Sequence, residues 1–389
     1  MIQETSNVKN AASPKVSIII DNYNYGHFIA RAIDSALAQT YPDIEIIVVD
    51  DGSTDNSRDV IASYEGRLAP VFKPNGGQAS AFNAGFAKST GDVIIFLDSD
   101  DVLFPEAIEK VVRLFENNKL TKVHWPLWVV DEHENKTGGL RPARALPQGD
   151  FRELVLQGGP TSCTSSPTSG NAWARDFLEQ VFPLPEDVPY YRVCADEYLY
   201  TLAPVFGAIR AVPEPLGLYR IHGRNIYSAR SFQEKIKLEL EGHEQQCRAL
   251  SGVLQKAGIE VDLEAWRKNS WFHKQVQAIE EISALIPDAE PFILVDDGTW
   301  NAKEIYPHRA VAPFLERNGE PWGAPEDDET AIRELARMKE KGFSFFIFAW
   351  PSFWWLEHYG EFHRYLRKTC PCILESERLV IFDLRKEKP

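Results

Sequence analysis

The sequence predicts an α/β fold with a mixed, mainly parallel sheet and helices on both faces. Three short apolar runs predict its first strands, Val16–Ile20, Ile44–Val49 and Val93–Leu97. Each run is nearly uninterrupted and rich in valine and isoleucine, which is typical of strands covered by helices on both faces. Each run also ends in carboxylate or amide side chains. Because ligands of open α/β sheets bind beyond the carboxyl ends of the strands, this pattern predicts a binding crevice there.

Helices are predicted between these strands. Apolar residues recur with a period near 3.6 from His27 to Gln39, which indicates an amphipathic helix. Pro105 is expected to begin a second helix, since proline is favoured in the first turn. A third is expected around Gln78–Lys88, after two glycines. The acidic strand ends should therefore converge on one site, made of Asp21, Asp50, Asp51, Asp98 and Asp100.

Four ordered motifs of this region resemble the inverting family-2 glycosyltransferases, which have the GT-A fold. They are Asn22-Tyr23-Asn24, the Val-Val-Asp-Asp-Gly-Ser-Thr-Asp-Asn-Ser block at 48–57, the Asn75–Gly85 stretch and the Leu-Asp-Ser-Asp-Asp box at 97–101. The resemblance covers about residues 15–228. It departs at Asp21-Asn22, where the family usually has proline with threonine or serine. It implies a GT-A nucleotide-binding fold and the transfer of a sugar from a nucleotide donor.

Composition predicts a folded cytoplasmic enzyme. The chain has 389 residues, 44% of them hydrophobic, and a formal net charge of −15, which disfavours disorder and binding along a nucleic-acid backbone. The five cysteines are odd in number and lack zinc-site spacing, which predicts free thiols in a reducing compartment. Residues 1–14 are polar and do not resemble a signal peptide. The most apolar segment, 343–356, is too short for a membrane span, although peripheral contact with the inner face of a membrane stays open.

Pattern divides the chain into four parts. They are a disordered tail (1–14), a GT-A glycosyltransferase domain (15–232), a helical connector (233–285) and a small C-terminal α/β accessory domain (286–389). In the last part, strands are predicted at 292–295, 343–348 and 379–384, with a helix at 329–341. The aromatic residues from Phe353 to Tyr365 are interpreted as core, or as a platform for a glycan or a partner. Contact with a second copy or another protein through this domain is a further alternative.

The acidic box suits a metal-assisted nucleotide site. A nucleoside diphosphate leaving group develops negative charge, which a hard divalent cation can neutralise. Asp98 and Asp100 offer hard oxygen ligands for Mg²⁺ or Mn²⁺ directly after a strand. The resemblance implies that Asp98 contacts the ribose or a metal-bound water, that Asp100 contacts the metal, and that Ser99 belongs to the donor site. An aspartate-rich turn that caps the following helix is the alternative.

Other donor-binding residues are expected in the same motifs. Asp50 and Asp51 are candidates for base or ribose contacts, since Gly52 permits a tight turn. Backbone N–H groups near Gly77, with Lys73, are expected to face an anionic ligand. The full expected set, besides the acidic box, is Asn22, Tyr23, Asn24, Asp50, Asp51, Lys73, Gly77 and Asn83. Capping by Ser53 or Asp55, and simple exposure of Asn83, are the structural alternatives.

An inverting transfer also needs a general base, worth typically ~10²–10⁴-fold in rate. Asp196, in Cys-Ala-Asp-Glu-Tyr-Leu, resembles the acidic box that supplies the base in the family. Glu197 is the reserve candidate. Adjacent helical residues point about 100° apart, so only one of the two acids can face the sugar.

Two further segments complete the expected site. Leu218–Asn225 resembles the Tyr-Arg-x-His segment that closes over the diphosphate in many relatives. This resemblance implies that Arg220 and Arg224 bind phosphate oxygens and that His222 binds the metal or a phosphate. The Thr168–Trp173 stretch resembles an acceptor-side segment. There Asn171 and Trp173 would contact the acceptor, although a tryptophan in the core is nearly as well supported.

The predicted function is a metal-dependent inverting glycosyltransferase of polysaccharide biosynthesis. It would move a sugar from a nucleotide donor, expected to be a UDP-sugar, to a glycan, lipid-linked or other hydroxyl acceptor. A catalytically silent sugar-nucleotide or glycan-binding protein is the first alternative. A nucleotidyltransferase is the second, but the loop after the first strand lacks the glycine-rich, basic pattern expected of one. The pattern does not specify the donor base, the sugar, the acceptor or the linkage.

Overall fold

The computed structural model describes residues 13–115, 119–223, 225, 230–318 and 320–386. The chain folds as two compact units. The first contains the residues up to 230 together with 238–267, and the second contains 231–237 and 268–389. All but two residues of the predicted N-terminal tail lie outside the described residues.

The first unit is built on two sheets. Its strands in the described residues are β1 (Val16–Asn22), β2 (Ile44–Asp50), β3 (Ala69–Phe72), β4 (Val93–Asp98), β5 (Val102–Leu103), β6 (Leu120–His124), β7 (Leu127–Val130), β8 (Lys136–Arg141), β9 (Asn171–Ala174), β10 (Ala208–Ala211) and β11 (Gly217–Arg220). The helices along the same part of the chain are α1 (Ile29–Leu37), α2 (Ser57–Ala62), α3 (Gln78–Lys88), α4 (Ala107–Phe115), α5 (Arg152–Gly158), α6 (Arg175–Val181), α7 (Ala195–Phe206), α8 (Phe232–Lys256) and α9 (Leu263–Asn269).

The larger sheet has the strand order β10-β6-β9-β4-β1-β2-β3. Strands β1 to β4 are parallel, and β9 is antiparallel to both of its neighbours. The smaller sheet has the order β5-β11-β7-β8. The predicted mixed, mainly parallel sheet is confirmed. Because β1, β2 and β4 run in the same direction, their acidic ends meet at one edge of the sheet.

Both faces of β1 are buried, which explains its uninterrupted apolar run. Ile18 and Ile20 pack in a core with α1 and α4, whereas Ile19 packs on the other face with α3 and α7. All three isoleucines are fully buried, and each such side chain contributes about 1.5–3 kcal/mol of transfer free energy. Successive residues of a strand point to opposite faces. A strand between two helical layers therefore needs apolar residues at every position.

The second unit is a smaller α/β fold. Its strands in the described residues are β12 (Phe292–Val295), β13 (Val311–Pro313), β14 (Glu316–Arg317), β15 (Glu320–Pro321), β16 (Phe345–Ala349), β17 (Cys372–Glu375) and β18 (Leu379–Asp383). Its helices are α10 (Trp271–Leu285), α11 (Ala302–Ile305), α12 (Asp328–Glu340), α13 (Trp354–His358) and α14 (Gly360–Thr369). The main sheet has the order β13-β12-β16-β18-β17, in which β13, β12 and β16 are parallel. The predicted C-terminal strands and helix lie within two residues of these bounds.

The aromatic stripe after Phe353 divides between core and surface. Trp355, Tyr359 and Phe362 are buried, whereas Trp354 and Tyr365 are 46% and 36% exposed. The region predicted as a helical connector forms α8, α9 and α10, and its residues are divided between the two units. No helix in the described residues has the length and hydrophobicity needed to cross a bilayer.

Candidate active site

The acidic strand ends lie side by side because of the strand register. Asp21 of β1 is paired with Asp98 of β4, and Asn22 is paired with Asp50 of β2. The first turn of α7 adds Asp196, whose charge acts on both Asp21 and Asp98. One edge of the sheet thus collects carboxylates from separate parts of the sequence.

This edge carries more negative charge than its surroundings neutralise. Burial raises the pKa of Asp21 to about 8, and repulsion from Asp100 and Asp196 adds to the effect. Burial, followed by the charges of Asp21 and Asp101, raises the pKa of Asp98 well above its usual value. Within the described residues, Asp21 Oδ1 and Asp101 Oδ2 are buried without a hydrogen-bond partner. Buried carboxylate oxygens without donors favour a bound cation.

Asp100 and His222 form the best candidate ligand pair. His222 Nε2 lies 3.0 Å from Asp100 Oδ2, and both residues are buried. Asn225 Nδ2 lies 3.3 Å from the same oxygen. Among the described residues, no third histidine, cysteine or carboxylate brings a ligand atom within 4.8 Å of both. Two protein ligands suit Mg²⁺ or Mn²⁺, which commonly fill their remaining positions with water and substrate phosphates.

Arg220, which was predicted to bind a phosphate, is held by internal hydrogen bonds. It is 3% exposed, and its guanidinium donates to the carbonyl oxygens of Asp100 and Glu132 and to the carboxylate of Glu134. Glu134 is in turn held by Arg31. The guanidinium therefore positions the Asp100 backbone, and its contact with the donor stays a prediction. Arg224, the other predicted phosphate ligand, lies outside the described residues.

Asp51 organises the loop before α3, where an anion site was predicted. Lys73 Nζ lies 2.5 Å from Asp51 Oδ1, and the N–H groups of Gly76 and Gly77 donate to the same carboxylate at 2.9 and 2.7 Å. Gly77 has φ +87°, and a Cβ there would lie 2.7 Å from the Cα of Arg192. Only glycine fits this position. The amides expected to face donor phosphates are bonded to a protein carboxylate instead.

Asp50 and the two asparagines after β1 hold the neighbouring loops together. Asp50 is fully buried and accepts hydrogen bonds from Asn22 Nδ2 at 3.1 Å and Arg58 Nε at 2.9 Å. Asn24 Oδ1 accepts from the N–H of Thr54 at 2.7 Å. These three residues, predicted as donor ligands, are therefore used within the protein. Tyr23, by contrast, is 48% exposed and remains available to a ligand.

Asn83 and Ser99 also have internal positions. Asn83 Nδ2 donates to the carbonyl oxygen of Leu184 at 3.0 Å and to Glu186 at 2.8 Å. Its Oδ1 accepts from the N–H of Leu184 at 2.7 Å. This side chain ties α3 to the segment before α7, and its donor contact stays a prediction. Ser99 is 2% exposed.

The two acids at the start of α7 have different surroundings. Asp196 is hydrogen-bonded to Thr168, and burial raises its pKa. Glu197 Oε2 accepts from Tyr190 Oη at 2.5 Å and from Gln246 Nε2 at 2.6 Å. Burial, with the charge of Asp196, raises the pKa of Glu197 to about 8. Asp196 therefore belongs to the acidic edge, while Glu197 is bonded to residues outside it.

Comparison with known proteins identifies the family. The family model described as "Glycosyl transferase family 2" matches residues 17–169. An uncharacterized glycosyltransferase of Nostoc sp. is 42% identical over 228 residues, which cover 57% of this chain and 70% of the relative. The chain belongs to glycosyltransferase family 2. Its mainly parallel sheet between two helical layers agrees with the α/β fold predicted from the sequence.

Two solved structures have low similarity to this family-2 enzyme. TarS 1–349 of S. aureus, in complex with UDP-GlcNAc, is 19% identical, with 67% of this chain and 81% of TarS 1–349 covered and a TM-score of 0.45. A mannosyltransferase of Pyrobaculum calidifontis, in complex with GDP-Man and Mn²⁺, is 18% identical. In that comparison 70% of this chain and 76% of the other are covered, with a TM-score of 0.44.

The predicted acceptor residues of this family-2 glycosyltransferase are in its core. Asn171 and Trp173 lie in β9 and are 0% and 1% exposed. Asn171 Nδ2 donates to the carbonyl oxygens of Ser166 and Pro167 at 3.0 and 2.7 Å. Neither side chain is exposed, and the contact of these two residues with the acceptor stays a prediction. Asn171 instead shapes the segment that contains Thr168.

Three residues that the sequence analysis did not select support the site. Gln78 links its two sides, since Oε1 accepts from the N–H of Ala195 at 2.8 Å and Nε2 lies 3.4 Å from Asp98 Oδ1. Ser169 Oγ accepts from the N–H of Asp98 at 3.1 Å. Lys122 is fully buried in β6, where its Nζ donates to Asn171 and burial lowers its pKa to about 7. A lone lysine inside a buried strand was a detectable signal, whereas Gln78 and Ser169 had none.

Proposed function

We propose that this family-2 enzyme is a metal-dependent inverting glycosyltransferase. Its donor is a nucleoside-diphosphate sugar, with UDP-sugars the first expectation, and its acceptor is the hydroxyl of a glycan or a lipid-linked sugar. One observation carries the proposal. After burial, the charges of Asp100 and Asp196 raise the pKa of both Asp21 and Asp98, and Asp100 is paired with His222. A base and a cation site are the two functions that an inverting transfer requires together.

Asp100 and His222 would hold a divalent ion, Mn²⁺ or Mg²⁺, and Asp98 would reach it through water. Such an ion neutralises the charge that develops on the leaving diphosphate. The residues present fit this role, since the acidic edge has buried carboxylate oxygens without donors. Arg220 and Asn225 fix the position of Asp100 from behind. Preorganisation of this kind removes a reorganisation cost when the donor bond breaks.

Asp196 would act as the base. Its carboxylate accepts the proton of the acceptor hydroxyl while that oxygen attacks the anomeric carbon, and the bond to the diphosphate oxygen breaks on the opposite face. The raised pKa makes the carboxylate a stronger base than an exposed aspartate. Its hydrogen bond to Thr168 fixes the direction from which the proton is taken. Glu197 is the weaker candidate, because its Oε2 already accepts from Tyr190 and Gln246.

The test uses the full chain and a panel of UDP-, GDP- and dTDP-linked sugars. Each is scored for slow donor hydrolysis and for thermal stabilisation, with Mn²⁺ or Mg²⁺ and again with chelator. We expect one nucleotide class to be hydrolysed only with metal and to raise the Tm. Metal-independent turnover would reject the cation site. A folded sample that neither binds nor hydrolyses any donor would favour the silent-binding alternative.

A further inference from the structure

The second unit contains a cavity of about 490 Å³ beside the carboxyl end of β12. Its lining includes Asp297, Trp300, Ala302, Phe314, Ala324 and Trp355. The parallel strands β13 and β16 flank β12 on opposite sides. The chain passes from β12 to β13 on one side of β12 and later reaches β16 on the other side. This reversal of direction creates a crevice at the strand ends. The volume lies within the range of about 300–1,000 Å³ that is usual for small-ligand sites.

The loop after β12 arranges polar groups around aromatic walls. Asp297, at φ +52°, accepts hydrogen bonds from Trp354 Nε1 at 2.6 Å and from Trp355 Nε1 at 3.0 Å. A carboxylate has about four acceptor positions, so Asp297 retains capacity for a ligand. Trp300 is 4% exposed, and its Nε1 has no acceptor among the described residues. The cavity lining thus carries a spare acceptor at Asp297.

The charge around the cavity selects against phosphates. In the described part of the chain, Lys303 is the cationic residue that lines the cavity. The Nζ of Lys303 is paired with Glu320 at 2.5 Å. Asp296 and Asp297 add further negative charge. An anionic ligand would be repelled, because the basic group is already neutralised. A neutral ligand with one apolar face and a hydroxyl edge matches indole and phenyl walls together with a carboxylate.

We propose that this cavity binds a neutral sugar residue of the acceptor glycan. That the sugar belongs to the acceptor rests on the proposed function. That the cavity binds a sugar does not. The apolar C–H face of a pyranose would pack against Trp300, Phe314 or Trp355. Its hydroxyl groups would donate to Asp297.

The test measures sugar binding by the full chain without any nucleotide. Maltose, cellobiose, lactose and N,N′-diacetylchitobiose are titrated and followed by saturation-transfer NMR, with choline as a cationic probe. Ala324→Trp fills the cavity from an exposed lining position, and Asp297→Asn removes the carboxylate charge. Trp322→Ala is the matched control, since Trp322 is 52% exposed in the same unit and does not line the cavity.

We expect at least one disaccharide to bind, at least tenfold weaker affinity in both cavity variants, and unchanged affinity in Trp322→Ala. Failure of every disaccharide to bind folded protein would overturn the proposal. So would full affinity in Ala324→Trp, loss of affinity in Trp322→Ala, or displacement of the sugar by choline. Donor hydrolysis on the same preparations separates the two hypotheses. Sugar binding without any donor turnover would reject the transferase while leaving the cavity assignment intact.

Discussion

His222 Nε2 lies 3.0 Å from Asp100 Oδ2, although 122 residues separate the two in the chain. Arg220 contacts the same acidic segment, since its Nε donates to the carbonyl oxygen of Asp100 at 2.8 Å and its backbone N–H donates to Asp101 Oδ1 at 3.0 Å. The acidic box after β4 and the segment after β11 are thus one structural unit. The contacts of this unit with metal and donor are directly testable.

Asp100→Asn should abolish metal-stimulated donor hydrolysis, with a loss of at least about 100-fold, because an amide is a poor ligand for a hard cation. The Tm without metal should not fall, since the substitution removes repulsion among buried carboxylates. Thermal denaturation and donor hydrolysis with and without Mn²⁺ measure both effects. Asp176→Asn is the control, because Asp176 is exposed in α6 at the opposite edge of the sheet. Metal-stimulated turnover that survives in Asp100→Asn would remove Asp100 from the cation site.

Arg220→Lys should weaken metal binding without affecting metal-free nucleotide binding. Lysine can replace only part of the contacts that Arg220 makes with Asp100, Glu132 and Glu134. Loss of a group that orients a metal ligand typically raises the half-saturating metal concentration by ~10–100-fold. Metal titrations of activity, together with UDP binding in chelator, measure the two effects. If UDP binding in chelator is lost, Arg220 contacts the diphosphate after all.

Asp196→Asn and Glu197→Gln form a matched pair that tests the base. Asp196→Asn should lower transfer by ~10²–10⁴-fold and leave donor affinity unchanged, since the proton acceptor is lost while the donor contacts remain. Glu197→Gln should keep transfer within about tenfold of the wild type. Steady-state kinetics and donor titrations on both variants measure this. The opposite ranking of the two variants would make Glu197 the base.

Glu197 should also make stability depend on pH. Its folded pKa is about 8, above the ordinary value of 4.5. The unfolded chain loses this proton from about pH 4.5 upward while the folded protein keeps it, so folding is progressively destabilised between pH 4.5 and 8. Glu197→Gln removes this ionisable group, so the variant does not share this loss of stability. Its free energy of unfolding relative to the wild type should therefore rise by on the order of 3 kcal/mol from pH 5 to pH 8.

Urea unfolding at pH 5 and pH 8 measures this difference. The control is Glu153→Gln, an exposed position on α5 whose relative stability should be the same at both pH values. An equal effect of Glu197→Gln at pH 5 and pH 8 would show that the carboxyl group is ionised in the folded protein throughout this range.

The sequence predicted what local patterns encode. The apolar runs gave β1, β2 and β4, and the parallel arrangement then placed Asp21 beside Asp98 without any knowledge of long-range contacts. The sequence did not reveal which side chains form hydrogen bonds with residues far away in the chain. Arg220 bonds to Asp100 across 120 residues, and Asn83 bonds to Leu184 across 101. A functional residue and a structural residue of the same type look identical until such partners are known.

The same limit explains the loop before α3. Gly76 and Gly77 have the pattern of an anion-binding loop, and their amides do bind an anion, but it is the carboxylate of Asp51. The choice between an acceptor contact and a core position for Trp173 was left open for a related reason. Its side chain is 1% exposed with Lys122 Nζ 5.1 Å from the ring centre, and a tryptophan in a polar stretch does not reveal that a buried lysine lies over it.

The anchoring of Asp100 by Arg220 restricts how chimeras of this enzyme can be built. A crossover placed anywhere between these two residues would combine an acidic box from one parent with an arginine from another. Parents that differ in this loop would then lose the contacts that fix the carboxylate, even if each segment folded well. Junctions before β4 or after Asn225 keep the pair from a single parent, so exchange of donor preference between relatives has to move residues 93–225 as one block.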